Sequence, residues 1–535
     1  MPDAGAASRA GGRAGGAGGA GGRHAARVAA GILLTRVLGY LLERVFAYYF
    51  GNTSVGADAF RAALRIPNAI RNLLGEGTLS ASFIPVYAAL SQRADRQAAR
   101  ALAGVVLGLL LVATAALAML GIAFAPAITT VIAKGFDAPR RELTITLVRI
   151  LFPMTGLMVV SAWCLGILNT HRRFFLPYAA PALWNIAGIV AMAAAGTWFA
   201  NRGLPLEAQL HRIALALAWG TVAGAVLQIG VQLPTCWRLL QGIPLRLSTA
   251  PEGVRDVLTA WLPLLLGAGV AQLSGFVDTV LGSFTGAGGV SALGYAQLVQ
   301  GLPISLFGVC VAAASLPELS RDAVTASPEE QLRARIATAF RRITFFVLPS
   351  SFALTALGPL VVGALFQTGR FDADDTTLVG GVLAAYGIGL LGQATVKLFA
   401  SGFYALRDTR TPVKIATWSL VVSTALAVRL MRWYGPAGIA LGSSLGSTLN
   451  VVLHLRDLDR RIGTILGPAE WRAAGVSVAA AAAATAAGAG AVHVAAGAGT
   501  IPLALLGLGT FGVMYVVLAL ALQHPDAARL WKLVS

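Results

Sequence analysis

Charge is what this sequence has least of. Charged residues make up 12% of the 535 residues, whereas hydrophobic residues make up 56%. Soluble domains typically carry about a quarter charged residues, so a soluble globular fold is excluded. Apolar segments of roughly twenty residues, the length that a membrane-spanning helix needs, recur from Val28 to Leu522. Short alternating strands, which a membrane β-barrel would need, are not apparent. The composition therefore predicts an all-α polytopic membrane protein.

Motifs for ATP hydrolysis and for metal ligation are also lacking. The sequence contains no GxxxxGK[ST] segment, and its six histidines include no HExxH pair. Cys164, Cys236 and Cys310 lie in or beside apolar segments without CxxC spacing, which predicts small core residues. The net charge is +18, but its basic residues concentrate in alternate loops, so nucleic acid is not a predicted partner. What remains is transport driven by an ion gradient or the membrane potential, with no cofactor expected.

Fourteen membrane-spanning helices are predicted from the apolar segments. They lie at residues 28–50, 56–90, 100–133, 145–169, 178–200, 211–233, 257–284, 290–318, 338–366, 378–405, 412–433, 437–455, 472–494 and 500–522. Basic loops such as "HRRFF" and "ALRDTRTPVK" fall on one side, and the loops "GNTSVGAD" and "FTGAGG" on the other side carry little or no positive charge. The positive-inside rule places the basic side, and with it both termini, in the cytoplasm.

A weak internal repeat predicts two six-helix lobes followed by two further helices. "SASFIPVYAALSQ" at 80–92 resembles "AAASLPELSRD" at 312–322, and "GILNTHRRFFLP" at 166–177 resembles "SGFYALRDTRTP" at 401–412. Substrate sites in repeat-built transporters lie at the interface of the repeats. The predicted boundaries are a disordered cytoplasmic tail at 1–26, an N-lobe at 27–234, a cytoplasmic linker at 235–256, a C-lobe at 257–456, and helices 13–14 with a tail at 457–535.

Ionisable residues inside the apolar segments are concentrated in the first two. Arg36 and Glu43 are seven residues apart, and Asp58, Arg61 and Arg65 follow the spacing i, i+3, i+7, so each set shares one helical face. A charged residue in mid-membrane is costly and marks a functional candidate. These faces are therefore expected to line a polar cavity or to pair internally.

The segment "RIPNAIRNLLGEG" at 65–77 is the most polar part of the second helix. Pro67 is expected to kink this helix, and glycines flank Glu76. Positive charge remains after pairing, so an anionic ligand is predicted, and the guanidinium groups of Arg65 and Arg71 suit phosphate. The alternative is that these charges form structural ion pairs or reach the membrane interface.

Several segments resemble the MurJ/MviN family. "TRVLGYLLERVFAYYFG" followed by "ADAFRAALRIPNAIRNLLGEGTLSASFIPVY" is similar to the family's N-terminal signature. "GILNTHRRFFLPYAAPALWN", "LFQTGRFDADDT" and "GFYALRDTRTPVKIA" resemble further family segments in the same order, so the resemblance covers about residues 28–460. It implies the MOP superfamily fold of two six-helix lobes in pseudo-twofold arrangement plus two C-terminal helices. It also implies a transporter rather than an enzyme, namely a flippase of lipid II.

The resemblance also implies which residues serve the substrate. Arg36, Asp58, Arg71 and Glu76 match charged positions of the family signature that line or support its central cavity, and Glu43 takes the position of a family aspartate. Together with Arg61 and Arg65 they form the predicted substrate-binding set. The chain departs from the family at Leu42 and Leu298, where arginines are usual.

A cation site is implied as well, because some family members resemble sodium-coupled carriers. Asp278, Asp408 and Thr424 fall at the matching positions and are expected to serve Na⁺ coupling. For Asp408 the alternative is an ordinary role in the basic turn "RDTRTP".

The implied partners are lipid II, membrane lipids and cell-wall synthesis proteins, in the bacterial cytoplasmic (inner) membrane. Three alternatives stay open. A flippase of another lipid-linked oligosaccharide would use the same basic cavity. A MOP-type cation-coupled antiporter for cationic drugs would need acidic cavity residues, whereas the first two helices are mainly basic. A membrane scaffold that transports nothing would tolerate substitutions in the cavity.

Overall fold

The computed structural model describes residues 14–75, 78–93, 95–243, 245, 253–309, 328–495, 497 and 499–528. Helices make up almost all of this part of the chain. Across the described residues, β structure is limited to one isolated bridge between Thr368 and Phe371. The predicted all-α fold is confirmed.

The chain divides into two compact units that do not follow the sequence in simple halves. The first unit comprises Met1–Tyr49, Ala62–Val131 and Asp137–Gln272, and the second comprises Phe50–Arg61, Ile132–Phe136 and Leu273–Ser535. Compared with the predicted lobes, the first unit extends beyond the linker at 235–256, and the turn between the first two helices belongs to the second unit. Helix α2 therefore begins in one unit and continues in the other.

Ten helices precede residue 284. They are α1 (Ala14–Phe50), α2 (Val55–Leu74), α3 (Thr78–Gln92), α4 (Arg96–Ala123), α5 (Ala125–Ile132), α6 (Ala138–Thr170), α7 (Phe175–Ala179), α8 (Pro181–Ala200), α9 (Leu206–Leu239) and α10 (Val254–Ser283). Aspartates start two of them: Asp95 accepts the N–H of Ala98, and Asp137 accepts the N–H of Arg140. Such caps satisfy backbone donors that the first turn of a helix leaves open.

The remaining helices follow in the second unit. They are α11 (Gly289–Pro303), a π-helical segment (Ile304–Val309), α12 (Pro328–Ala356), α13 (Gly358–Phe366), α14 (Ala373–Ile388), α15 (Leu390–Ala405), α16 (Arg410–Ile462), α17 (Pro468–Val494) and α18 (Thr500–Ala521). α12 and α13 are bent by 81° and α14 and α15 by 40°. Each bend falls where a helix ends and the next begins within two residues.

α16 is a helical hairpin rather than a single rod. Its 53 residues would extend about 80 Å, more than twice the hydrocarbon core of a bilayer. At Gly435 the backbone is non-helical, with φ of 54°, a value that glycine adopts without strain. Asp408, just before the helix, is 2.8 Å from the guanidinium of Arg461 at its far end. The two arms therefore run back along each other.

Each unit has its own apolar core. In the first unit the core centres on Trp163, whose indole Nε1 donates a hydrogen bond to the carbonyl oxygen of Ala103 (3.1 Å). In the second unit Phe345 and Tyr515 join α12 to α18, and the Tyr515 hydroxyl donates to the Phe345 carbonyl oxygen (2.6 Å). Buried aromatic residues of this kind place their polar atoms on backbone partners.

The count of fourteen spans is not confirmed. Within the described ranges, eight helices are long and apolar enough to cross a membrane, or up to ten if each bent pair is one span. α2 does not qualify because its 20 residues include Asp58, Arg61, Arg65 and Arg71. α16 counts once although Gly435 divides it.

Local predictions also differ from the structure. Residues 14–26 of the predicted disordered tail are helical in the structure and extend α1, since adding turns to an existing helix avoids the cost of nucleation. α2 runs through Pro67 and ends at Leu74, so the break falls at the glycine-rich segment instead of the proline. Glu76 and the repeat segment at 312–322 lie outside the described residues.

Candidate functional site

α1 presents Arg36 on a face adjacent to its packing surface. Thr35 Oγ1 donates to the carbonyl oxygen of Tyr178 (2.8 Å), and Asn185 Nδ2 donates to the carbonyl oxygen of Thr35 (3.1 Å), which fixes α1 against α7 and α8. Arg36, next in sequence, is exposed, and Glu43 is half-buried. An exposed guanidinium inside an apolar helix requires water or headgroups around it. Arg36 is therefore available to a polar ligand.

Leu42 belongs to the packing surface between α1 and α8. A Cβ atom on Gly188 would lie 2.9 Å from Leu42 Cδ1, so the two helices approach closely where position 188 has no side chain. The side chain at position 42 thus points into an apolar helix contact.

Asp58, at the start of α2, caps another helix. It is fully buried, and its carboxylate accepts the N–H groups of Gly288 (2.7 Å) and Ser291 (2.9 Å) at the start of α11. A carboxylate at a helix N-terminus satisfies open backbone donors and is favoured by the helix dipole. Asp58 therefore holds the beginning of α2 in the second unit.

Arg61 lies one turn further along α2 and also packs in the second unit. Its guanidinium carbon is 4.1 Å from the ring centroid of Tyr295, a cation–π geometry. The Tyr295 hydroxyl donates to the carbonyl oxygen of Gly51 (3.3 Å). Position 294 is glycine, and a Cβ atom there would be 2.7 Å from Arg61 Cδ. The structure thus assigns Asp58 and Arg61 to holding α2 in place.

Arg65 and Arg71 lie on the part of α2 that belongs to the first unit, and both are half-buried. Arg71 shares a helical face with Gly75, which packs on α6: a Cβ atom on Gly75 would lie 3.1 Å from Ala162 Cβ. Arg71 Nε is buried and has no hydrogen-bond partner within the described part of the chain. Of the predicted set, this arginine has the clearest unused hydrogen-bonding capacity.

Asp278 is the centre of a polar cluster inside the second unit. It is 7% exposed; its Oδ2 accepts from Gln297 Nε2 (3.1 Å) and the Tyr386 hydroxyl (3.2 Å), and its Oδ1 accepts from Ser443 Oγ (3.0 Å). These residues come from α10, α11, α14 and the second arm of α16. A buried carboxylate with three side-chain donors is well stabilised.

Asp408 lies in the turn before α16 with different partners. Its carboxylate accepts the N–H groups of Arg410 (2.9 Å) and Thr411 (3.0 Å), the hydroxyl of Thr411, and a guanidinium N–H of Arg461 (2.8 Å). The Thr411 hydroxyl, followed by these other donors, holds the pKa of Asp408 well below its ordinary range.

The structure does not bring the expected cation ligands together. Ser443 contacts Asp278 and Arg461 contacts Asp408. These two partners are eighteen residues apart on one arm of α16, about 27 Å at the helical rise. Thr424 lies on the other arm, where its hydroxyl donates to the Leu420 carbonyl oxygen. Asp278 and Asp408 therefore belong to separate clusters.

No group of three or more histidine, cysteine or acidic side chains is placed to hold a metal ion in the residues that the structure describes. Sequence reasoning missed the partners of Asp278, namely Gln297, Tyr386 and Ser443. It also missed a buried group in the first unit, Ser161, Gln228 and Gln232. The available signal was a polar residue within an apolar helix, and for the two glutamines their i, i+4 spacing.

Comparison with known proteins supports the resemblance seen in the sequence. The family model described as "Lipid II flippase MurJ" matches residues 46–507. The lipid II flippase MurJ of Burkholderia cenocepacia is 36% identical over 442 residues, which cover 81% of this chain and 83% of the relative. The probable lipid II flippase MurJ of Bdellovibrio bacteriovorus is 31% identical over 458 residues, 84% of each chain.

Solved structures of the same fold are also similar. A lipid II flippase MurJ in an inward closed conformation aligns with a TM-score of 0.72 at 21% identity, covering 92% of this chain and 99% of that one. An inward-facing multidrug resistance transporter of the MATE family, in the MOP superfamily, aligns with a TM-score of 0.64 at 18% identity, covering 80% and 95%.

The long apolar helices, with arginines and a buried acid inside them, define a multi-pass membrane transporter of the MOP fold. Within that class the particular family is shown by sequence. The chain belongs to the lipid II flippase MurJ family.

Proposed function

We propose that this protein is a flippase that moves lipid II, the undecaprenyl-diphosphate-linked peptidoglycan precursor, from the inner to the outer leaflet of the bacterial cytoplasmic membrane. Membership of the MurJ family supports this function. The observation that carries it is the group of arginines at the family's signature positions inside α1 and α2. Of these, Arg36 is exposed and Arg71 has a buried Nε without a partner among the described residues.

The diphosphate explains why these positions are arginine. A guanidinium stays charged in any environment a protein offers, and its planar donors match phosphate oxygens in pairs. Arg36, Arg65 and Arg71 would hold the diphosphate, while Asp58 and Arg61 keep the start of α2 in place. In alternating access, the same arginines would face first one side of the membrane and then the other. The protein does no bond chemistry in this cycle and acts as a transporter, not an enzyme.

Orientation in the membrane follows from charge. The basic loops between the helices belong on the cytoplasmic side, which places both termini there. Membrane lipids surround the helices, and cell-wall synthesis proteins would supply and receive the substrate.

Coupling to Na⁺ is the second part of the proposal, and the Asp278 cluster is the place for it. The carboxylate of Asp278, the hydroxyls of Tyr386 and Ser443 and the amide of Gln297 offer oxygen ligands of the kind that hard cations prefer. Asp408 would take no part, because its carboxylate is engaged by Thr411 and Arg461. Replacing Ser443 by Ala should weaken any Na⁺ dependence of transport.

The test of the function is translocation of lipid II by the purified protein in vesicles. We expect Arg71→Ala to lower the rate at least tenfold, because a charge-assisted contact to phosphate is lost, while Arg71→Lys retains part of the rate. Arg429→Ala, at the tip of the α16 hairpin, serves as the matched control and should leave the rate unchanged. Transport by Arg71→Ala at the rate of the unsubstituted protein would contradict the assigned role.

The same vesicles distinguish lipid II from other lipid-linked substrates. Leucines at positions 42 and 298 replace arginines that are usual in the family, and Leu42 packs on Gly188. Lipid II is therefore to be compared with undecaprenyl diphosphate carrying a different sugar. Preference for the second lipid would assign the protein to another branch of lipid-linked oligosaccharide transport.

A further inference from the structure

A chain of three buried polar side chains joins α6 to α9 within the first unit. Gln228 Nε2 donates to Ser161 Oγ (2.7 Å), and Ser161 Oγ donates to Gln232 Oε1 (2.9 Å). Their exposed fractions are 6% for Ser161, 4% for Gln228 and 0% for Gln232. The serine hydroxyl serves as both acceptor and donor, so it fixes the orientation of both amides.

The other atom of each amide is left open. Gln228 Oε1 and Gln232 Nε2 are buried and have no hydrogen-bond partner in the described part of the protein. A buried polar atom without a partner costs free energy, so such atoms usually have a functional explanation. An acceptor and a donor therefore face a neighbouring element from the α6–α9 contact.

The neighbouring element is the first-unit part of α2. Leu64, Asn68, Arg71 and Gly75 follow the spacing i, i+4, i+7, i+11 and share one face of the helix. Leu64 packs against the cluster formed by Met154 and Met158 of α6 and Ala225 of α9. At the other end of this face, a Cβ atom on Gly75 would lie 3.1 Å from Ala162 Cβ of α6.

Asn68 and Arg71 lie between these two contacts and so face the same surface of α6 and α9. On α6, Ser161 follows Met158 by three residues and precedes Ala162. On α9, Gln228 and Gln232 follow Ala225 by three and seven residues, which puts them on its face. Arg71 Nε and Asn68 Oδ1 are themselves buried without partners among the described residues. Four open atoms, two donors and two acceptors, thus converge on one polar junction of three helices.

We propose that Ser161, Gln228 and Gln232 form a seat that positions the guanidinium of Arg71. Gln228 Oε1 accepts from the guanidinium, and the serine keeps that oxygen turned toward α2. A guanidinium has five N–H donors, so one can be held by the seat while the others remain for an anion. The seat residues act through Arg71 and do not touch the substrate. This inference rests on the proposed function for its consequence in transport, but the contact itself can be tested without substrate.

A double-mutant cycle in thermal unfolding tests the contact. The variants are Gln228→Met, Arg71→Met and the two together, in detergent without lipid II. Methionine keeps the length of both side chains and removes their polarity. We expect the shift in Tm of the double variant to be smaller than the sum of the single shifts, because the second substitution removes an interaction already lost. Additive shifts would overturn the seat.

Thr221→Val is the matched control for this cycle. Thr221 lies on α9, two turns before Gln228, is also buried, and donates its hydroxyl to the Leu217 carbonyl oxygen of its own helix (2.7 Å). Its effect on Tm should add to that of Arg71→Met. If Gln228→Met does not fold, Ser161→Ala releases the same amide and takes its place in the cycle.

Binding of lipid II then tests the positioning role. In the presence of Arg71, Gln228→Met should weaken binding about tenfold, the size expected for losing the alignment of one charge-assisted contact. In the Arg71→Met background it should have no further effect, whereas an equal loss in both backgrounds would show that Gln228 does not act through Arg71. Failure of the unsubstituted protein to bind or move lipid II would refute the proposed function, while the unfolding cycle would still decide the seat.

Discussion

The two ends of α2 carry similar residues and use them differently. At its start, Asp58 caps α11 and Arg61 stacks on Tyr295, so both charges are engaged in the second unit. Further along, in the first unit, Asn68 and Arg71 have buried atoms without hydrogen-bond partners among the described residues.

The difference separates charges that hold the fold from charges that are free to bind. Removing a satisfied buried group leaves its partners unpaired and lowers stability. Removing a group with open hydrogen-bonding capacity lowers stability less and affects ligand binding more. Residue type alone does not distinguish the two cases, since Arg61 and Arg71 lie ten residues apart on one helix.

The largest effect on stability is expected at Asp58. Asp58→Ala leaves the buried N–H groups of Gly288 and Ser291 without their acceptor, at a cost of about 2 kcal/mol or more. Asp58→Asn keeps one acceptor oxygen and should lose less. Thermal unfolding in detergent measures both. Unfolding of the alanine variant at the temperature of the unsubstituted protein would remove the distinction between the two ends of α2.

A smaller loss is expected at the Asp278 cluster. Ser443→Ala removes one of three donors to a buried carboxylate and should cost about 1.5 kcal/mol. Thr448→Val on the same arm of α16 is the control, because its exposed hydroxyl donates to the Ser444 carbonyl oxygen of its own helix. Equal unfolding temperatures for the two variants would show that the Asp278 cluster does not contribute to stability.

A pH-dependent effect is expected where the chain continues beyond α18. His524 is buried against Phe345, and its Nδ1 accepts the N–H of Asp526, which requires that nitrogen to be unprotonated. Burial lowers the pKa of His524, and the positive charge of Arg341 adds to this, although Asp526 opposes it.

The sign of that effect follows from proton binding. The unfolded chain binds a proton on His524 near its ordinary pKa of 6.5 before the folded chain does. The stability contributed by the neutral ring is therefore complete above this pH and is lost as the pH falls through and below it. We expect Tm to decrease over this range, and the His524→Phe variant to show a shallower decrease. An identical pH profile for both would rule out His524 as the source.

The smallest effect is expected for Arg461→Ala. Arg461 and Asp408 form a partly exposed ion pair, and such pairs contribute about 0.5 kcal/mol or less. Unfolding temperature and transport should both stay near those of the unsubstituted protein. A loss as large as that of Asp58→Ala would mean that exposure does not separate strong from weak sites in this molecule.

Much of the fold could be predicted from the sequence because apolar length and charge distribution are local signals. Each of the fourteen predicted segments overlaps a helix of the structure, although the number of spans is not confirmed. The position of the break in α2 was missed because Pro67 sits within a helix that neighbouring contacts keep continuous, while the chain turns at the glycines beyond Leu74.

The candidate site was predictable only where a motif carried it. Arg36, Asp58 and Arg71 stand in one signature, so their importance could be inferred, but their partners could not. Asp58 meets Gly288 and Ser291 more than 200 residues away, and no local pattern reports such a contact. For the same reason the sequence joined Asp278 and Asp408 in one cation site, while the packing of α16 separates their partners.

The hairpin of α16 bears on how the chain enters the membrane during synthesis. Its two arms meet at Gly435, and its ends are held by Asp408 and Arg461. Contacts between the arms involve residues close in sequence, so they can form as soon as this segment leaves the ribosome. Near the tip, Arg429 lies over the ring of Trp433, a pair suited to the level of the lipid headgroups. We expect α16 to insert as one preassembled pair of helices, with its tip crossing to the far side of the bilayer.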